Sequence, residues 1–279
     1  MDLYQHRSYF EKYDPNSVYD WIPSDDSNRF DLAYKTTPND PNIKYYLKNP
    51  IKYKLNNEGF RTHDDFNSND DGNIFLGCSH TFGIGHHLEN TWGFKLNNVI
   101  GGKFWNLSLA GTGVVTAFRL LKGYSKKLKI NNIFHYAPKY PRFEFIMNGE
   151  PKNILINLYE KDWDKQFGSF VRDCLFDEQQ TNFTYNSYIY AIKGLANELG
   201  VNYYLVDWKP DNMDLDGSLR ARDLYHYSVK QQHFIYCEFL KIYNQKLYEI
   251  HGGYDNSFSP NDVNIYQDFA EVKIEKTML

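Results

Sequence analysis

Asn73-Ile74-Phe75-Leu76-Gly77-Cys78-Ser79-His80-Thr81-Phe82-Gly83-Ile84-Gly85 is the stretch on which the reading of this chain turns. Its first five residues are a short apolar run, placed directly after the turn-forming cluster Asn67-Ser68-Asn69-Asp70-Asp71-Gly72. That pattern is a strand buried on both faces. A small-residue turn then leads to a serine flanked by glycines. Working outward, residues 104–109 and 130–136 read as a second and a third strand, and 201–208 as a fourth. Between them, Glu89-Asn90-Thr91-Trp92 opens a helix through Val99, with Asn90 as the expected N-cap. Val114, Ala117, Phe118 and Leu121 carry helical spacing over residues 114–128. Tyr188, Ile192, Leu195 and Leu199 share one face of a helix over 184–199 that Gly200 ends. A last helix covers 228–248. Strands alternating with helices define an α/β chain, a three-layer α/β/α sandwich around a mostly parallel sheet. In such folds ligands bind beyond the carboxyl ends of the strands.

The amino-terminal segment reads differently. Residues 1–66 mix aromatics with Asp, Asn and Pro, show no sustained helical period, and suggest extended pieces at 43–47 and 51–55. We read them as an arm packed on a core domain of residues 67–250, followed by a tail, 251–279. Pro138, Pro141 and Pro151 break any long element between 138 and 180.

The chain has 279 residues, enough to bury a sizeable core, and 24 Tyr with 20 Phe predict a ring-rich interior. A net charge of −4 gives no electrostatic case for nucleic acid or an anionic membrane. No apolar run approaches a membrane span, and the start lacks a signal peptide's pattern. Three scattered cysteines, Cys78, Cys174 and Cys237, argue against a disulfide framework or zinc ribbon and fit cytoplasmic synthesis. The many Asn, Lys, Ile and Tyr residues fit an AT-rich coding genome such as a phage's, and hence a virion association.

Three short motifs carry chemistry. Ser79 sits on a glycine-flanked turn after the first strand, where backbone N–H groups can face an oxyanion, although such turns are also common structural devices. Gly111, after the second strand, lets the backbone approach a substrate and offers a second N–H, or serves only its own dihedral angles. Asp223, three residues before His226, can accept from the imidazole Nδ1–H and leave Nε2 as a base, or can merely cap the following helix.

Taken together and in this order, the motifs resemble the SGNH, or GDSL-like, hydrolase family. Asn57-Glu58-Gly59-Phe60-Arg61, Glu89-Asn90-Thr91-Trp92 and Ala221-Arg222 add to the likeness, which spans roughly residues 55–245. The resemblance implies a flavodoxin-like sheet, Ser79 as nucleophile, Asp223 and His226 as its partners, and the N–H groups of Ser79 and Gly111 as oxyanion hole. It departs from the family at Cys78, where Gly-Asp-Ser has its Asp, and at residues 135–144, where a Gly-x-Asn-Asp block is absent. A third oxyanion donor is then expected from Tyr136, Lys139 or Tyr140. Arg142 and Glu144 are expected to form an ion pair along an extended segment.

His80, His86 and His87 lack ligand spacing with a carboxylate or thiolate, so a pocket rim is expected rather than a metal. Asp211, Asp214, Asp216 and Gly217 depart from a calcium loop. Cys78 reads as packing. No cofactor is expected. The expected activity is hydrolysis of small esters, with O-acetyl groups of a carbohydrate as the family-based substrate and acyl transfer as the near neighbour. The alternative is a virion or surface protein in which the fold serves as a carbohydrate-binding or assembly module, with the arm supplying virion or homo-oligomer contacts.

Overall fold

The computed structural model describes residues 3–7, 13–67, 69–138, 142–155, 175, 177–207 and 219–251, less the side chains of 154, 155, 250 and 251. Four strands form one parallel sheet: β3 (Asp71–Leu76), β4 (Lys103–Asn106), β5 (Lys129–Ala137) and β8 (Asn202–Asp207), in the order β4-β3-β5-β8. The chain runs from β3 out to β4 on one side and then crosses back to β5 on the other. The gap between β3 and β5 is therefore the point where the winding reverses, the place where open α/β sheets bind ligands.

Alternation along the strands sorts the core into two layers. Ile74 and Leu76 of β3, Trp105 of β4 and Ile133 of β5 face one side, packed with α5 (Val114–Tyr124) and α6 (Glu178–Leu199). Phe75, Phe104, Phe134 and Tyr136 face the other, against α4 (Trp92–Ile100) and α7 (Val229–Tyr243). A period of two in β3, buried on both faces, is what makes residues 74–76 apolar throughout. The second layer is aromatic: Phe75 stacks on Phe134 at 5.3 Å and Trp92 on Phe239 at 4.4 Å.

The first sixty-odd residues depart from the expectation. The expected extended piece at 43–47 is instead part of α2 (Pro41–Lys48), which follows α1 (Ser27–Thr36), whereas the piece expected at 51–55 holds β2 (Tyr53–Lys54), paired over two residues with β1 (Val18–Tyr19). Asp26 and Asp40 cap the two helices by accepting from Arg29 N–H and Asn42 N–H. Ile43 and Tyr46, three apart, bury one face of α2. Ile22, Phe30, Ile51 and Phe60 complete the same core layer as α5 and α6.

Four helix boundaries also differ, the first that of α6, which starts at Glu178 behind an Asp177 cap rather than at 184. Asn90 lies in a 3-10 turn and does not cap α4; instead Gln232 Oε1 of α7 accepts the Trp92 N–H at 3.0 Å. Residues 125–128 fall outside α5. Asn244 divides the expected 228–248 helix into α7 and α8 (Gln245–His251). Ser228 and Gln231 form a reciprocal capping box at the start of α7.

Between β5 and α6 stands an antiparallel hairpin, β6 (Arg142–Met147) and β7 (Glu150–Leu155). The expected Arg142–Glu144 pair does not form. Glu144 instead meets Arg119 of α5 at 2.6 Å, with both side chains buried, and accepts from Thr116 Oγ1 at 2.7 Å. Residues two apart on a strand share a face but point side by side, so each finds its partner on the element beneath. No described helix is long and apolar enough to cross a membrane.

Candidate active site

Ser79 is the first residue of a four-residue helix, α3 (Ser79–Phe82), entered from β3 through Gly77 and Cys78. A Cβ on Gly77 would lie 2.1 Å from Thr81 Oγ1 and 2.9 Å from the Tyr136 carbonyl, so only glycine lets the chain turn here. As the helix's first residue, Ser79 has an N–H with no acceptor inside the helix. Cys78 is buried and unpaired with another cysteine, which suits its reading as packing.

The segment after β4 is tied to this turn. Asn106 at the strand's end donates to Arg61 O at 3.2 Å and accepts from Ser108 N–H at 3.1 Å. Thr112 Oγ1 reaches Gly77 O at 3.4 Å and Leu109 O at 2.7 Å. Between them Gly111 adopts φ 74°.

Asp223 and His226 form the third part. One carboxylate oxygen, Oδ2, binds His226 Nδ1, and the other accepts the N–H groups of Tyr225 at 3.2 Å and His226 at 3.1 Å. Burial pushes the Asp223 carboxyl up, but the hydrogen bonds from His226 outweigh it and hold the group below its ordinary value. With Nδ1 engaged, Nε2 is the nitrogen left for a proton. The His226 side chain keeps 16% of its surface exposed.

The loop carrying this pair is clasped to the Ser79 turn. Arg222 N–H donates to Gly85 O at 2.8 Å. A Cβ on Gly85, at φ 73°, would come within 2.9 Å of Arg222 N and 3.1 Å of Asp223 Oδ1, so only glycine permits the approach. His80 stacks on Tyr227 at 3.8 Å and lies 5.2 Å from the His226 ring. His86 Nε2 binds Tyr227 O. Among the described residues, Ser79 Oγ makes no hydrogen bond with His226; the two are linked through the Gly85–Arg222 backbone bond and through His80.

The amino-terminal arm completes the clasp. Arg222 is sealed in an ion pair with Asp25, Nη2 to Oδ2 at 2.6 Å, and lies 3.8 Å over the Trp21 ring. Tyr53 donates to Asp25 Oδ2 and accepts from Gly85 N–H at 2.9 Å. Asn42 and Tyr46 of α2 hold both backbone groups of Arg220, at 2.8 and 2.6 Å. Arg61 binds three carbonyls of the turn after α3, those of Phe82, Gly83 and His86.

Two expectations change. His80 and His86 are buried braces of the turn, not a rim. Tyr136 is 2% exposed with its hydroxyl sealed near Tyr227, so it faces the aromatic layer under α7 rather than a ligand. Lys139 and Tyr140, the other candidate donors, lie outside the described residues, as do Cys174, Asp211, Asp214, Asp216 and Gly217. Among the described residues no cluster of His, Cys, Asp or Glu is arranged to hold a metal ion.

The buried histidines set a pH dependence of stability. Burial pushes His86 and His135 down to about 3, and burial with the nearby His226, Arg142 and His86 holds His80 well below its usual value. In the unfolded chain histidine titrates near ~6.5. Stability is therefore full above that pH and falls as pH drops toward about 3, because the unfolded chain binds protons the fold refuses. Each such group steepens the loss by about 1.4 kcal/mol per pH unit. Denaturant midpoints should fall between pH 7 and 5, with net proton uptake on unfolding; an unchanged midpoint would refute neutral burial of these rings.

No family model matches the chain, and no curated protein matches it at a significant level.

Proposed function

We propose that this protein is a serine ester hydrolase of the SGNH type, with Ser79 as nucleophile, His226 as base and Asp223 as its orienting partner. One observation carries the reading: a buried carboxylate fixes His226 through Nδ1, and the loop that holds the pair is bonded to the turn that begins with Ser79. A capping aspartate would need only its backbone contacts. The sheet order and the placement of all three parts beyond the strands' carboxyl ends support the same reading.

In the reaction, Ser79 Oγ attacks the ester carbonyl as its proton passes to His226 Nε2. The N–H groups of Ser79 and Gly111 receive the oxyanion. His226 returns the proton to the departing alcohol oxygen, and water, deprotonated by the same nitrogen, releases the acid from the acyl-serine. Oxyanion stabilisation from two donors rather than three costs about a hundred- to a thousandfold in rate, so turnover should be slow. O-acetylated carbohydrate is the substrate class we favour, on family resemblance. The exposed Tyr225 ring between Asp223 and His226 offers a stacking surface for a sugar.

The missing Ser79–His226 hydrogen bond favours a second reading, in which the fold is a weakly active or inactive carbohydrate-binding or assembly module. A fluorophosphonate probe separates the two. The native protein should be labelled at Ser79 at pH 8, and the Ser79→Ala protein should not. A folded native protein that resists labelling would support the binding module. Such bonds are often long without substrate and tighten in the reacting complex.

A further inference from the structure

The hairpin beside the site carries a cation with no counter-charge among the described residues. Arg142 opens β6, and a Cβ built on Gly113 would lie 2.9 Å from the Arg142 carbonyl, so the residue sits directly on the Gly111–Gly113 turn. Its Nη1 donates to Thr112 O at 3.0 Å. Among the described residues this is the side chain's one protein acceptor, and no carboxylate pairs with it. None of its nitrogens is sealed from solvent without a partner. Most of the fork of N–H donors is thus open.

The position is electrostatically unfavourable for a cation. The turn leads into α5, whose N-terminal end carries the positive pole of the helix dipole. The two histidines at the site add no negative charge, and Asp223 is engaged by His226. The hairpin is nevertheless held rigidly, because Glu144, on the same face of β6, is locked to Arg119 and Thr116 of α5. A half-buried guanidinium with open donors, held on the Gly111–Gly113 turn, is an arrangement suited to a planar oxyanion, which arginine binds through two parallel hydrogen bonds.

We propose that Arg142 forms an anion subsite and that the esters this protein cleaves carry a carboxylate close to the scissile carbonyl. The proposal rests on the ester-hydrolase reading for its reaction, but the anion subsite itself can be measured without catalysis. A carboxylate could lie on the alcohol side, as in an acylated acidic sugar, or on the acyl side, as in a dicarboxylic half-ester.

Two pairs of esters distinguish these sources: para-acetoxybenzoate against phenyl acetate, and p-nitrophenyl hemisuccinate against p-nitrophenyl butyrate. The anionic member of one pair should have the higher kcat/KM, chiefly through KM. Arg142→Gln should reduce that advantage by about tenfold or more, the scale of a charged hydrogen bond. Arg142→Lys should restore part of it, and added salt should weaken it. In parallel, the uncleaved amides para-acetamidobenzoate and acetanilide are titrated calorimetrically into the native and Arg142→Gln proteins, each first checked for a native melting transition. The benzoate should bind the native protein about tenfold more tightly, and the variant should not discriminate. Equal losses on both members of each ester pair would make Arg142 a structural clamp and overturn the proposal. So would native protein that is labelled at Ser79 yet prefers neither anionic ester nor anionic amide. Arg142-dependent benzoate binding without labelling or turnover would instead leave the subsite standing and remove the hydrolase reading.

Discussion

His226→Ala should lose most p-nitrophenyl acetate hydrolysis while keeping a native melting transition. In the proposed reaction the imidazole takes the Ser79 proton, and its ring is partly exposed rather than part of the core. Asp223→Asn should lower kcat by between about ten- and ten-thousandfold, the upper figure being the known cost of this change in a well-studied triad. The amide would still fill the space and could accept the N–H groups of Tyr225 and His226, but it would not stabilise an imidazolium. The two variants together discriminate a working triad from a retained architecture. If both fold and both hydrolyse the ester at the native rate, His226 is not the base.

Asp25→Ala should be the most destabilising single change outside the apolar core. It strands the Arg222 guanidinium, 3% exposed in the ion pair, with a carboxylate removed from three of its hydrogen bonds. Breaking a buried pair from one side costs about 3–5 kcal/mol, whatever the net worth of the intact pair. For a chain of this size that is a fall in melting temperature on the order of 10 °C. The neighbouring Asp26→Ala is the control, because Asp26 caps α1 and pairs with the exposed Arg29 from a partly exposed position, and its loss should cost about 1 kcal/mol. Similar melting temperatures for the two variants would refute the clasp. Because Arg222 precedes Asp223 and bonds Gly85, esterase activity should fall further in Asp25→Ala than the folded fraction does.

The sheet was legible because the middle of each strand is a short apolar run: Ile74–Leu76, Phe104–Trp105, Ile133–Phe134 and Tyr203–Val206. The helices at α5 and α6 were legible through spacing, and Gly200 ends α6 where expected. The arm was not. Ile43, Tyr45, Tyr46 and Leu47 are β-favouring residues in a row, and tertiary packing of Ile43 and Tyr46 overrides that preference. The missed indicator was Asp40-Pro41, a cap followed by proline at the first helical position. Within the site, the Asp223–His226 pairing was readable from a local spacing of three. The partners of Arg222, Glu144 and Arg142 were not, because each lies on a distant element. A one-dimensional pattern carries periodicity and caps but not which buried charge meets which. Arg61, which carries no motif signal of its own, holds the carbonyls of Phe82, Gly83 and His86.

The Asp25–Arg222 pair joins positions 197 residues apart. Contacts of such long sequence range close late in folding, since the loop entropy must be overcome first. During synthesis, Asp25, Trp21 and Tyr53 leave the ribosome long before the loop that carries Asp223 and His226. Until that loop emerges, the nascent chain holds the Ser79 turn without the Asp223–His226 pair, and Asp25 with Tyr53 but without Arg222. The Asp223–His226 pair and its clasp to Gly85 would then form in a single late step, and a chain interrupted before that loop would lack both however well its sheet had formed.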